Sequence, residues 1–256
     1  MKYIESYQSS ECYCCGNKSL FTLGTRTEQL SNAKCLYSFT FEDVVCERCA
    51  FVFSRQRQQQ EEIAHYYKFY HSNASTTSEE EHKARYEYLK SYINNESVVY
   101  EIGGGINSSF SKFIKSKGTN IKNIEVTDRL PKGDAVDLIV CYYLLEHINE
   151  LDNFLIQIND LLKVGGFFVF EVPDFCKNPA ASLNEEHVNH FNLSSIMAMA
   201  DRYGFELVSK GFEQGARSFG SVAILKKKSD PKDLSGVIHS QRFKSPPREF
   251  PPPSNG

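Results

Sequence analysis

The first residues with types and spacing suited to chemistry are cysteines. Cys12-x-x-Cys15, followed by Gly16, is answered by Cys46-x-x-Cys49. Two such knuckles let four thiolates converge tetrahedrally on one zinc ion, with the intervening chain forming a hairpin. Cys14 competes with Cys12 or Cys15 for the ion, and Cys35 is left over. A four-thiolate site has no open coordination position, so its expected role is folding. The second stretch is Val98-Val99-Tyr100-Glu101-Ile102-Gly103-Gly104-Gly105. It reads as a short buried strand running into a glycine turn, where bare backbone can approach a nucleotide-like ligand closely. Glu101 is placed to accept hydrogen bonds from ligand hydroxyls or an ammonium group. Asp128, about twenty positions beyond the glycines, suits a ribose hydroxyl.

The elements that must position these residues follow from periodicity. Phe110, Phe113 and Ile114 mark a helix that Gly118 stops, and Ile121 to Val126 is a second strand. Asp137-Leu138-Ile139-Val140-Cys141 is another buried strand, leading into Tyr142-Tyr143-Leu144-Leu145-Glu146-His147. In that run Glu146 reads as a helix-start residue. Leu151, Phe154, Leu155, Ile158, Leu161 and Leu162 line one helix face. Gly165-Gly166 turns the chain into the strand Phe167 to Val172. A helix over Leu193 to Tyr203 and strands at Phe205 to Val208 and Val222 to Leu225 complete the series. Strands alternating with helices predict a mostly parallel sheet covered on both faces.

Before the glycine turn, the composition from Arg55 onward predicts a helical connector. Its aromatic segment His65-Tyr66-Tyr67-Lys68-Phe69-Tyr70-His71 suits either packing between domains or a lid lending tyrosine hydroxyls to a site. Ser78-x-x-Glu81 is a capping box opening a helix with Tyr86, Leu89 and Ile93 as its apolar stripe.

In order, Glu101-x-Gly103-x-Gly105, Asp128, Asp137-Leu-Ile-Val, Leu145-Glu146-His147 and Leu162-Lys163-x-Gly165-Gly166 resemble the class I S-adenosylmethionine-dependent methyltransferases. The resemblance runs over roughly Ser97 to Lys228. It implies a Rossmann-like α/β sheet, with Glu101, Gly103, Gly105, Asp128 and Asp137 as the cofactor-binding positions. A zinc ribbon followed by a Tyr/His-rich segment is similar to the arrangement in sugar C-methyltransferases. These carry a Glu-His pair after the fifth strand, matched here by Glu186-His187. The resemblance therefore implies Glu186, His187, His147 and Tyr70 as catalytic candidates. His187 would be the base, its imidazolium stabilised by a carboxylate, and tyrosine hydroxyls would hydrogen-bond a developing enolate.

Two departures are legible. Only Arg129 to Val136 separates Asp128 from the next strand, too short for a helix and a strand, so the third strand of the sheet is expected to be missing. The second α/β domain of the sugar enzymes is likewise expected to be missing. The chain instead runs through residues 229–256, a proline-rich tail expected to be disordered. The competing expectation is a degenerate methyltransferase fold acting as a binding module through its ribbon. A dinucleotide oxidoreductase is disfavoured, because Asn107 and Ser108 stand where a further glycine would let the helix start near a pyrophosphate.

The expected units are a zinc ribbon (1–54), a helical connector or lid (55–96), a methyltransferase domain (97–228) and the tail (229–256). The net charge of -3 over 256 residues argues against nucleic acid or membrane surfaces as partners. No apolar run is long enough to span a bilayer, and no signal peptide is evident. Six of the 8 cysteines lie in the first fifty residues, a pattern suited to metal in a reducing, cytoplasmic setting. The expected substrate is a small polar molecule, a sugar nucleotide or glycan. Oligomeric state is not legible.

Overall fold

The computed structural model describes residues 6–31, 36–58, 77–105, 107–126, 135–179, 187–209 and 213–232. In the N-terminal part, β1 (Ser6–Gln8) pairs antiparallel with β5 (Gln56–Gln58), while β2 (Leu20–Ser31) and β3 (Leu36–Cys46) form a long hairpin with β4 (Val52–Ser54) beside it. The connector expected to be helical from Arg55 thus begins as a strand. Arg57, fully buried, is drawn inward there, which a solvated helix would not allow.

α1 (Glu79–Leu89) opens on the Ser78–Glu81 capping box, with both reciprocal bonds formed and three glutamates in the first turn to meet the helix dipole. Ile93 lies past its end, so the expected stripe is shorter. β6 (Val99–Ile102) runs into the glycine turn and α2 (Ser109–Ser116), which buries Phe110 and Ile114 and stops before Gly118, at φ +86°. β7 (Ile121–Ile124) and β8 (Val136–Tyr142) follow. A 3₁₀ turn (Leu145–His147) comes next, then α3 (Leu151–Leu161), whose apolar stripe is buried as its spacing predicts. β9 (Leu162–Pro173), β10 (Asn189–His190), α4 (Leu193–Arg202), β11 (Phe205–Leu207), β12 (Glu213–Gln214) and β13 (Gly220–Lys227) complete the described chain.

The main sheet has the order β11-β13-β9-β8-β6-β7, with β12 against β13. β7, β6, β8 and β9 run parallel to one another, and β13 enters antiparallel between β9 and β11. The sheet is therefore mixed. Among the described residues β7 is its edge, as the short Asp128–Asp137 connection requires.

The cysteine-bearing part packs into the same core. Cys12, Tyr13, Phe51 and Phe53 share one buried cluster with Leu151, Phe191 and Tyr203. β10 completes the sheet of the β2–β3 hairpin by pairing with β4. At α4, the Arg202 guanidinium donates to the Cys12 carbonyl and the Tyr203 hydroxyl to the Tyr13 carbonyl. Asn192 Nδ2 donates to the Ala50 carbonyl beside the second knuckle. Lys232 N bonds the Arg202 carbonyl, so the chain just past Lys228 packs back on α4; residues 233–256 lie outside the described residues. Among the described residues no helix is long and apolar enough to cross a membrane.

Candidate functional site

The C-terminal ends of parallel strands are where helix N-termini and bare backbone converge on a ligand in open α/β sheets. Here β6 ends in Gly103 and Gly105, both in the left-handed region at φ +77° and +79°. A Cβ on Gly104 would lie 2.5 Å from the Glu101 carboxyl carbon, whereas one on Gly105 would meet no atom within 4 Å. The turn is thus packed on its inner side and open at Gly105. Glu101 is buried, which raises its carboxyl. The Ser108 and Ser111 hydroxyls, donating to Oε2 at 2.6 and 2.5 Å, counter that. Asn123 Nδ2 donates to the Gly105 carbonyl at 2.7 Å, tying the turn to β7.

Leu144 bridges this turn to a second group: a Cβ on Gly103 would lie 3.0 Å from its side chain. Two residues later, Glu146 sits in the 3₁₀ turn with 1% exposure. Neither of its carboxylate oxygens has a hydrogen-bond partner, and burial pushes the group up to about 8. His147 Nε2 lies 4.0 Å from Glu146 Oε1. The His187 ring packs edge-on against His147 with centroids 4.7 Å apart. Glu146, His147 and His187 each offer one ligand atom, all within 4.8 Å of one another.

The two halves of this cluster come from segments forty residues apart in sequence, so something must fasten them. Val188 N donates to the Glu146 carbonyl. The Asn189 amide donates to the Leu145 and Ile148 carbonyls. Arg57, fully buried, donates to the Ile148, Asn149 and Val188 carbonyls and to Asn189 Oδ1, while Arg26 donates to the His187 carbonyl. The N-terminal part therefore braces the histidines.

Beside this, the Sγ atoms of Cys12, Cys15, Cys46 and Cys49 converge within 4.8 Å. Cys12–Cys49 and Cys15–Cys46 stand 3.6 and 3.5 Å apart, close to the roughly 3.8 Å expected between thiolates sharing one tetrahedral zinc. Burial pushes Cys15 up to about 12; at Cys46 it is outweighed by the Cys49 and Arg48 amides, which bring the thiol down to about 7. Cys14 is buried but outside the quartet.

Of the residues predicted from sequence, Glu101, Gly103 and Gly105 stand at one turn and His147 meets His187. Asp137 is not brought to them. It opens β8 at the opposite end of the sheet, and its carboxylate is engaged by Lys163 Nζ and Val98 N, both at 2.8 Å. Asp128, Glu186, Tyr70 and Cys35 lie outside the described residues. Glu146 is the residue that sequence reasoning missed as a site candidate: it stands in the first turn of a short 3₁₀ helix, as the sequence suggests, but as a buried carboxylate beside two histidines.

Residues 58–210 match the family model described as a methyltransferase domain. Among solved structures, the 1,6-didemethyltoxoflavin-N1-methyltransferase of Burkholderia thailandensis, with bound 1,6-didemethyltoxoflavin and S-adenosylhomocysteine, is similar at TM-score 0.51 and 11% identity. That likeness covers 72% of this chain and 98% of that one. An S-adenosylmethionine-dependent methyltransferase from Mesorhizobium loti is similar at TM-score 0.45 and 11% identity, over 56% of this chain and 98% of the other. No curated protein matches in sequence. The family match spans more than half of the chain. The chain belongs to the methyltransferase-domain family, and it shares its fold with a methyltransferase that binds S-adenosylhomocysteine.

Proposed function

We propose that the enzyme transfers a methyl group from S-adenosylmethionine to a small polar acceptor in the cytoplasm, a sugar nucleotide or glycan, at carbon or oxygen. The observation that carries this reading is the junction of the open glycine turn with the Glu146–His147–His187 cluster through Leu144. The cofactor fits the turn: Gly105 leaves space on the ligand side, and Glu101 is fixed behind it by two serines. Glu101, Gly103 and Gly105 would hold the methionine part, with Asp128 on the ribose.

A sulfonium methyl is already activated, so the protein's task is to align a nucleophile and remove its proton. His187 is the base in this reading, with Glu146 and Glu186 as the carboxylates able to stabilise its imidazolium. Tyr70 is assigned to the acceptor. Zinc at Cys12, Cys15, Cys46 and Cys49 would fold the N-terminal part and hold Tyr13 and Phe53 under Arg57, whose guanidinium lies 4.1 and 5.7 Å from their ring centroids.

Incubation with isotopically labelled S-adenosylmethionine and a panel of sugar nucleotides tests the acceptor. A product heavier by one labelled methylene, lost in His187→Ala, is expected. Labelling of protein or nucleic acid with no sugar product would contradict it.

A further inference from the structure

We propose that Glu146, His147 and His187 form a second metal centre, which binds one divalent cation beside the glycine turn and takes an acceptor with two neighbouring oxygens, such as a diol or hydroxy-ketone. Two imidazoles and one carboxylate are the donor set that suits zinc, manganese, cobalt or iron(II), and three protein ligands leave positions open for oxygen ligands. The donors already lie within 4.8 Å of one another. Around one ion with bonds of about 2.1 Å they would stand roughly 3.4 Å apart, a gap that small rotations of the imidazoles close.

A second observation points the same way. Glu146 is 1% exposed, and both of its oxygens lack a hydrogen-bond partner. A buried carboxylate in that state is costly unless it holds a proton or meets a cation. His147 Nε2 lies 4.0 Å from Glu146 Oε1, and the Arg217 guanidinium acts on the carboxylate as well. The backbone is already committed: the Glu146 carbonyl accepts from Val188 N and the His187 carbonyl from Arg26. The three side chains are thus presented from a fixed frame. His147, whose side chain is 18% exposed, marks the side from which an acceptor could enter.

What the cation does rests on the methyl-transfer reading above. It would hold both oxygens of the acceptor and lower the pKa of the bound hydroxyl, or of the C–H beside a bound carbonyl, so that the proton passes to water; the resulting oxygen or carbon nucleophile would bond to the sulfonium methyl as the methyl–sulfur bond breaks and S-adenosylhomocysteine leaves. His187 then acts as a ligand, and the cation takes over the deprotonation assigned to its imidazole.

Equilibrium dialysis against buffered micromolar zinc, followed by elemental analysis, tests the site without reference to activity. About two zinc ions per chain are expected in the wild type, and about one in Glu146→Gln and in His147→Asn/His187→Asn, with the four-thiolate ion retained. Glu146→Gln keeps the shape of the side chain and removes a buried charge, so its thermal stability should be unchanged or raised. One ion in the wild type, or equal counts in all three proteins, would overturn the proposal. Calorimetric binding of S-adenosylmethionine to the same samples separates the two readings. Cofactor binding with a single ion leaves methyl transfer standing and removes the metal centre. Two ions with no cofactor binding do the reverse.

Discussion

The Arg57 guanidinium donates to Asn189 Oδ1 at 2.6 Å, and through that contact the N-terminal part reaches β10, which begins two residues after His187. The same guanidinium bonds the Ile148 and Asn149 carbonyls behind His147 at 3.0 and 2.9 Å, and it lies 4.1 Å over the ring of Tyr13, between two cysteines of the first knuckle. One side chain thus joins cysteine knuckle, 3₁₀ turn and β10.

Arg57→Ala would leave several buried carbonyls without donors. It is expected to cost about 3–5 kcal/mol, read by urea unfolding, and to abolish turnover. Arg57→Lys should recover little, since an ammonium cannot reproduce the planar fork. A loss under 1 kcal/mol would show that the brace is not needed.

Asp152 gives a pH signature. Burial raises its carboxyl from 3.8 to about 6, and the carboxyl and the Tyr13 carbonyl share the one Tyr203 hydroxyl proton. A raised carboxyl contributes stability that is fully present below pH 3.8 and lost as pH rises through 6, about 3 kcal/mol in all. Asp152→Asn keeps an acceptor for Tyr203 and removes the charge. The variant should be more stable than the wild type at pH 7, with the advantage vanishing toward pH 4. Parallel stability curves across that range would refute the assignment.

The quartet and its neighbour should separate cleanly. Cys49→Ser is expected to lose the four-thiolate zinc and lower the melting temperature. Cys14→Ala should keep the ion and cost only the buried side chain, on the order of 1 kcal/mol. Metal analysis of the two variants decides it, and zinc loss from Cys14→Ala would place Cys14 among the ligands.

The glycines of the turn should differ in kind. Gly104→Ala would drive a methyl to 2.5 Å from the Glu101 carboxyl carbon and should destabilise the fold by about 1–3 kcal/mol. Gly105→Ala meets no protein atom and carries only the backbone cost of a positive φ, about 1–2 kcal/mol. Equal unfolding midpoints for the two would contradict this packing.

Much of this architecture was legible because it follows from periodicity and local chemistry. The strand-turn-helix at Glu101 to Ile114 and the capping box at Ser78 each reflect constraints spanning fewer than twenty residues. The cysteine quartet was legible because two identical spacings repeat. Asp137 read as a cofactor residue on motif alone; its place at the start of β8 puts it at the wrong end of the sheet. Glu146 was hidden for the opposite reason. Nothing local distinguishes an exposed helix-start glutamate from a buried one, and the residues that hydrogen-bond this turn, Val188 and Asn189, lie forty residues on. Arg57 looked like part of a charged connector until four of its hydrogen bonds met oxygens from two distant segments.

The most direct measurement is calorimetric titration of the zinc-loaded protein with S-adenosylmethionine and S-adenosylhomocysteine. A micromolar dissociation constant, about -8 kcal/mol, is expected, weakened at least tenfold in Glu101→Ala and in Gly105→Ala while the latter stays folded. No heat at millimolar cofactor, or the same affinity in both variants, would contradict the glycine turn as the cofactor site.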